Sequence, residues 1–137
     1  MVTDLEVLGR AVKVAQYRHH RAMDARLSSV GTTLVQWDAL RAIGRAPGAS
    51  AHELAQTTFQ SDQSFGTLAT RLVAQGLIER LPGRGRRIEH HLTDAGRAML
   101  DAGASVAEGM LAQSFAPLTE PERATLLALL GRLSPDD

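Results

Sequence analysis

Gln63, Ser64, Thr67, Thr70 and Arg71 fall on one side of a stretch whose other side is apolar. Glutamine can bond adenine through two hydrogen bonds, and arginine can do the same to guanine. Just beyond lie four arginines, Arg80, Arg84, Arg86 and Arg87, with no acid among residues 80–87. Such a block suits phosphate oxygens or a narrow, electronegative groove. Taken singly, a polar helix face or a charge run is ordinarily a solvated surface. The pairing of the two features points instead to a duplex, with Gln63, Ser64, Thr67 and Arg71 as readers. Thr70 and Ser61 fit phosphate contacts or helix caps. Asp62 fits a charge favoured at a helix start. Arg84 and Arg86 lead the second group. Arg87 has an alternative, turning inward along its strand.

The elements that must position these residues are mostly helical. Phe65, Leu68, Ala69, Leu72 and Val73 follow helical spacing without a miss, predicting a helix over residues 62–75 with Gly76 closing it. Its outer face carries Gly66 and two threonines where Glu, Lys or Arg would make a stronger helix. Thr33 with Gln36, Ser50 with Glu53, and Thr119 with Glu122 have capping-box spacing. They open helices that Pro47-Gly48 ends, that runs over 51–58, and that reaches 133. Residues 77–81 and 87–92 read as two strands around a turn at Pro82 to Arg86. Thr93 caps a long helix over 94–115, with Ala95, Ala98 or Met99, Ala102, Val106 and Met110 inward. Residues 4–27 form a first helix with Leu5, Leu8, Val12 and Ala15 on one face. Val7, Ala11 and Val14 widen that stripe, as at a subunit interface.

Composition excludes several classes. At 137 residues the chain is one domain long, 1–137, and can bury its own core. It has no cysteine, so thiolate metal sites, cysteine nucleophiles and disulfides are absent. No apolar run approaches a membrane span, and residues 1–13 carry acids without an apolar core. The expectation is a cytoplasmic protein with no membrane partner. Net charge is zero, yet it is uneven. Residues 1–48 hold seven basic and four acidic groups; residues 98–137 hold two and six.

The order is helix, helix, short helix, smooth-faced helix, arginine-tipped hairpin, long helix, leucine-rich helix. The expected fold is mostly α with a small β-hairpin wing. Residues 33–92 form a winged helix-turn-helix lobe, flanked by dimerisation helices at 4–27 and 94–133. A helix with small polar side chains can enter the major groove while its predecessor crosses the backbone. The chain resembles the MarR family of transcriptional regulators over nearly its whole length. Gln36-Trp37-Asp38-Ala39-Leu40-Arg41 resembles that family's second helix, and Ser50-Ala51-His52-Glu53-Leu54-Ala55 its third. Leu68, Arg71-Leu72 and Gly76-Leu77-Ile78 resemble the recognition helix and its exit. Leu92-Thr93-Asp94-Ala95-Gly96-Arg97 resembles the Leu-Thr-x-x-Gly signature after the wing.

The resemblance implies a homodimeric repressor that binds a palindromic operator in double-stranded DNA. It also implies a small aromatic or anionic effector in a crevice beside the dimer helices. Tyr17, His20, Arg21 and Trp37 are the residues for stacking and for pairing an anion there, with Trp37 also fitting the core. One departure stands out. The family's wing aspartate position falls on Arg84, which leaves Arg86 without that acid.

The five histidines do not converge. His19-His20 point about 100° apart on a helix, and His90-His91 face opposite sides of a strand. No metal and no cofactor are expected. No nucleophile with a base, phosphate loop or carboxylate pair suggests an enzyme. The alternative function is a winged-helix protein-interaction module without operator binding.

Overall fold

The computed structural model describes residues 1–134. Asp136 and Asp137, part of the acidic C-terminal block, and the end of the 1–137 domain lie outside the described residues. Six helices and one hairpin follow in order: α1 Leu5–Ser28, α2 Leu34–Arg45, α3 Ala51–Thr57, α4 Asp62–Ala74, β1 Ile78–Pro82, β2 Ile88–Leu92, α5 Asp94–Phe115 and α6 Glu120–Leu133. This is the expected mostly α architecture with a hairpin wing.

Local chemistry sets the helix starts. The side chains of Asp4, Thr33, Ser50, Ser61, Thr93 and Thr119 each accept from a backbone N–H one turn in. Among the described residues only Thr119 and Glu122 complete a reciprocal capping box. Gln36 is buried and its side-chain oxygen accepts from Thr32 Oγ1 at 3.2 Å. The Glu53 carboxylate is drawn away to Arg87. Gln36 thus turns to a neighbour one turn back, whereas Glu53 is claimed by a residue 34 positions away.

Two apolar clusters hold the chain. The larger joins α2, α3 and α4 through Leu40, Ile43, Leu54, Phe65 and Leu72, with Ile78 from β1. The smaller joins α1, α2 and α5 through Met23, Leu27, Trp37, Ala107 and Met110. Phe65, Ala69 and Leu72 are fully buried, as the spacing predicts, whereas Val73 at the end of α4 is exposed. The inner face of α5 carries Met110, buried, and Met99, Ala102 and Val106, half-buried, as expected, and differs in part. Ala95 and Ala98 are exposed, and Gly96, Gly103, Ala107 and Met110 are buried. The helix turns Gly96 and Gly103 inward because backbone and indole approach it there. A Cβ on Gly96 would overlap the Leu77 carbonyl, and one on Gly103 would overlap the Trp37 indole.

The strands are antiparallel, registered from Ile78 opposite Leu92 to Pro82 opposite Ile88. An isolated bridge from Ala49 to His90 adds the loop before α3 to the sheet. Gly85 takes a left-handed φ of 64° at the tip. Leu77 precedes β1 rather than beginning it; it is buried, and its carbonyl accepts from Thr93 N at 3.1 Å.

His90 lies inside this junction, 1% exposed. Its Nδ1–H donates to the Ala49 carbonyl at 2.9 Å, since a carbonyl can only accept. Nε2 is buried without a partner. Burial lowers the pKa of His90; the Ala49 bond opposes this, and the Arg80 and His91 charges add to it. The folded protein therefore favours the neutral ring. Stability is fully present above the unfolded pKa and falls as pH drops below about 6.5, by up to roughly 1.4 kcal/mol per pH unit. Urea denaturation between pH 7.5 and pH 5.5 should show this slope, and His90→Gln should flatten it.

Candidate nucleic-acid interface

Ser61 caps α4 by accepting from Ser64 N at 3.0 Å. Capping and the buried apolar face together fix which side of α4 looks outward. Gln63, Ser64, Thr67, Thr70 and Arg71 are all exposed on it. Thr67 Oγ1 donates to the Gln63 carbonyl at 3.1 Å, which leaves its lone pairs free to accept. Arg71 has no ion pair among the described residues.

Thr70 is engaged differently. Its hydroxyl donates to the Gly66 carbonyl at 3.0 Å and accepts from Arg80 Nη2 at 3.1 Å. Arg80 also donates to the Gly66 carbonyl, at 3.2 Å. Arg80 was absent from the expected site. The signal for it was strand alternation: Arg80 shares the inward face of β1 with Ile78, two residues earlier. It therefore ties β1 to α4.

The wing arginines divide in the same way. Arg84 and Arg86 are exposed at the tip, with no ion pair among the described residues. Arg87 folds back onto α3. Its Nη1 lies 2.6 Å from Glu53 Oε1, and its Nη2 donates to Glu53 Oε2 at 3.2 Å and to the Gly48 carbonyl at 3.0 Å. The Arg87 bond holds the Glu53 carboxyl below the usual carboxylate range. Asp62, expected as a dipole-favoured charge, also receives His52 Nδ1 of α3 at 3.0 Å. Arg71, Arg84 and Arg86 thus remain as unpaired cations beside the polar face of α4.

The turn between α3 and α4 carries a residue that sequence reasoning missed. Phe59 is 97% exposed and sits at φ 58°. A left-handed conformation costs a side-chain-bearing residue about 1–2 kcal/mol. Phe59→Gly should remove that strain and, after the added unfolded-state entropy of glycine, stabilise the fold by about 0.5–1 kcal/mol. The check is an upward shift of the urea midpoint at unchanged slope.

The four residues assigned to an effector crevice are not brought together. Trp37 is 5% exposed, and its Nε1–H donates to the Leu100 carbonyl at 3.1 Å. Its ring therefore serves the core. Tyr17 and Arg21 pair with each other on the open face of α1, the Arg21 guanidinium donating to the Tyr17 hydroxyl at 3.0 Å. His20 Nε2 lies 3.3 Å from Asp24 and near enough to Asp38 to act on its charge. Burial raises the Asp38 pKa against the pull of Arg41, which lies over the Trp37 ring at 4.9 Å. Arg41 is thus a cation beside Asp38 and the Trp37 ring that the sequence reading did not name.

The helices outside the lobe leave apolar surface uncovered. No residue of α6 is buried, and Leu127 is 74% exposed. Leu5, Val7, Leu8 and Val12 of α1 are likewise exposed. A groove of about 350 Å³ between α5 and α6 is lined by Leu111, Phe115, Leu126, Leu127 and Leu130. Among the described residues no helix is long and apolar enough to cross a membrane. No three His, Asp or Glu side chains among them gather as metal ligands.

Comparison with known proteins finds relatives of this chain. A family described as the MarR family matches residues 30–88. A helix-turn-helix-type transcriptional repressor of Mycobacterium tuberculosis is 30% identical over 83% of this chain and 84% of its own length. The structure of a MarR mutant from Escherichia coli complexed with operator DNA superposes with a TM-score of 0.89. It is 26% identical over 97% of this chain and 100% of that one. A Mycobacterium tuberculosis MarR family protein in complex with salicylic acid superposes with a TM-score of 0.75. It is 28% identical over 92% of this chain and 95% of that one.

Proposed function

Since the chain belongs to the MarR family, we propose that it is a homodimeric repressor that binds a palindromic operator and releases it to a small aromatic acid. One observation carries this reading: the outward face of α4 is polar and open, beside a wing tip with two unpaired arginines. In this reading Gln63, Ser64, Thr67 and Arg71 meet base edges in the major groove. Ser61 and Thr70 act mainly by shaping α4. Arg84 and Arg86 reach phosphates or the adjacent minor groove. Arg87 acts through Glu53.

Residues 33–92 are the DNA-binding lobe, and 4–27 with 94–133 the dimerisation lobe. The exposed leucines of α1 and α6 then bury against a second copy. A two-fold dimer sets half-sites about one DNA turn, roughly 34–36 Å, apart. Effector binding favours a dimer with the wrong spacing and so lowers DNA affinity. The aromatic acid is suggested by the salicylic acid complex of the mycobacterial protein. Tyr17, His20 and Arg21 are the proposed contacts, joined by Arg41 over the Trp37 ring. The protein acts by binding, not by turnover, and works in the cytoplasm beside the chromosome.

Selection from a random pool of duplexes tests the reading. An enriched palindrome supports it. Absence of enrichment at low salt overturns it and moves the module to protein partners.

A further inference from the structure

The geometry points to Arg87 as a positioning residue that, clamped on Glu53, sets from the base of the hairpin where Arg84 and Arg86 can reach. The inference rests on the operator-binding reading above. Residues 80–87 contain no acid of their own, and the Glu89 carboxylate beside Gly83 is shared with His91 Nε2 at 3.0 Å. The acid is found instead on α3. Arg87 meets both carboxylate oxygens of Glu53, at 2.6 and 3.2 Å, and the Gly48 carbonyl at 3.0 Å. A planar guanidinium making such a fork is fixed in direction as well as place.

Arg87 also closes the tip turn. Its carbonyl accepts from Gly83 N at 2.8 Å, and its N–H donates to the Arg84 carbonyl at 3.1 Å. Fixing Arg87 therefore fixes the backbone that carries Arg84 and Arg86. Space is tight on the same side: a Cβ on Gly83 would press on the Glu89 carboxylate at 3.0 Å and the Arg87 carbonyl at 3.2 Å. The other strand is held separately, Arg80 tying β1 to Gly66 and Thr70 of α4. His52 and Asp62 join α3 to α4 at 3.0 Å. The contacts close a ring through α3, α4, β1 and β2, so the wing is set against the polar face before any ligand arrives.

The Glu53–Arg87 pair is half-exposed, so it adds little to stability. Its contribution is preorganisation, which appears in binding. The test uses the full chain and the duplex that the unaltered protein enriches from a random pool. Glu53→Gln removes a negative charge near DNA. Were Arg87 simply a phosphate contact, this change would leave binding equal or tighter. A positioning role predicts the opposite: Glu53→Gln weakens binding about fivefold or more and lowers its salt slope, because Arg84 and Arg86 lose their place. Arg87→Ala should do the same, and the double variant should be no worse than either single change. In the free protein both variants should speed amide exchange at Gly83 and Arg87, with melting nearly unchanged. Equal or tighter binding by Glu53→Gln, or additive losses, overturns the inference while the operator reading stands. If the unaltered chain binds no duplex, both fall.

Discussion

Arg71→Ala is expected to erase preference at one base pair of each half-site, at a cost of about 1–3 kcal/mol there. Arg84→Ala with Arg86→Ala should instead weaken all sequences alike and reduce the salt slope by up to about two. The contrast follows from where the structure puts the charges. Gln63, Thr67 and Arg71 lie four residues apart on the open face of α4, and the fully buried Phe65 and Leu72 fix the rotation of that face. A guanidinium held on a rigid helix can choose between bases. The tip arginines sit on a short turn with Gly83 and Gly85, where a cation follows the backbone's charge more than the base identity. Selection repeated with each variant measures both effects. Uniform weakening by Arg71→Ala would make that residue a phosphate contact and shift base reading to Gln63 and Thr67.

Gly96→Ala is expected to cost at least about 3 kcal/mol and lower the melting temperature by about 10 °C. The added methyl would overlap the carbonyl oxygen of Leu77. That oxygen cannot retreat, because Thr93 N donates to it at 3.1 Å. Thr93 Oγ1 in turn donates to the Gly76 carbonyl at 2.6 Å and accepts from Gly96 N at 3.0 Å. Leu92-Thr93 and Gly96 are therefore the hinge pin where the exit of α4, the start of β1 and the start of α5 meet. Gly66→Ala is the contrasting case. Nothing lies within 4 Å of a Cβ there, so the variant should be more stable by up to about 1 kcal/mol. Thermal melting of both variants checks the pair. A mild loss for Gly96→Ala would mean that α5 can slide away from the wing.

Much of this protein was legible along the chain. Alternation and spacing placed all six helices and the hairpin within a residue or two. A 3.6-residue period is written in consecutive side chains, as in Phe65, Leu68, Ala69 and Leu72. Polar character on the opposite face then marked Gln63, Ser64, Thr67 and Arg71 as exposed. What failed were statements about which partner a side chain takes. Glu53 and Gln36 were expected to close capping boxes, yet Arg87 and Thr32 claim them. Of the two places open to Trp37, pocket and core, the structure gives the core: it packs over Gly103 and bonds the Leu100 carbonyl.

The sequence by itself determined the order of elements, the faces they expose and the chemistry those faces carry, because these depend on local period and capping. The inward turn of Arg87 was one of two readings open from its strand position; only the tertiary structure chose it, made Arg80 a second brace and left Arg84 and Arg86 exposed at the tip. That division depends on Gly66, Thr70, Gly48 and Glu53, which lie 10 to 39 residues away along the chain. No local pattern encodes contacts over such separations; they exist only once the apolar faces of α3, α4 and β1 have met.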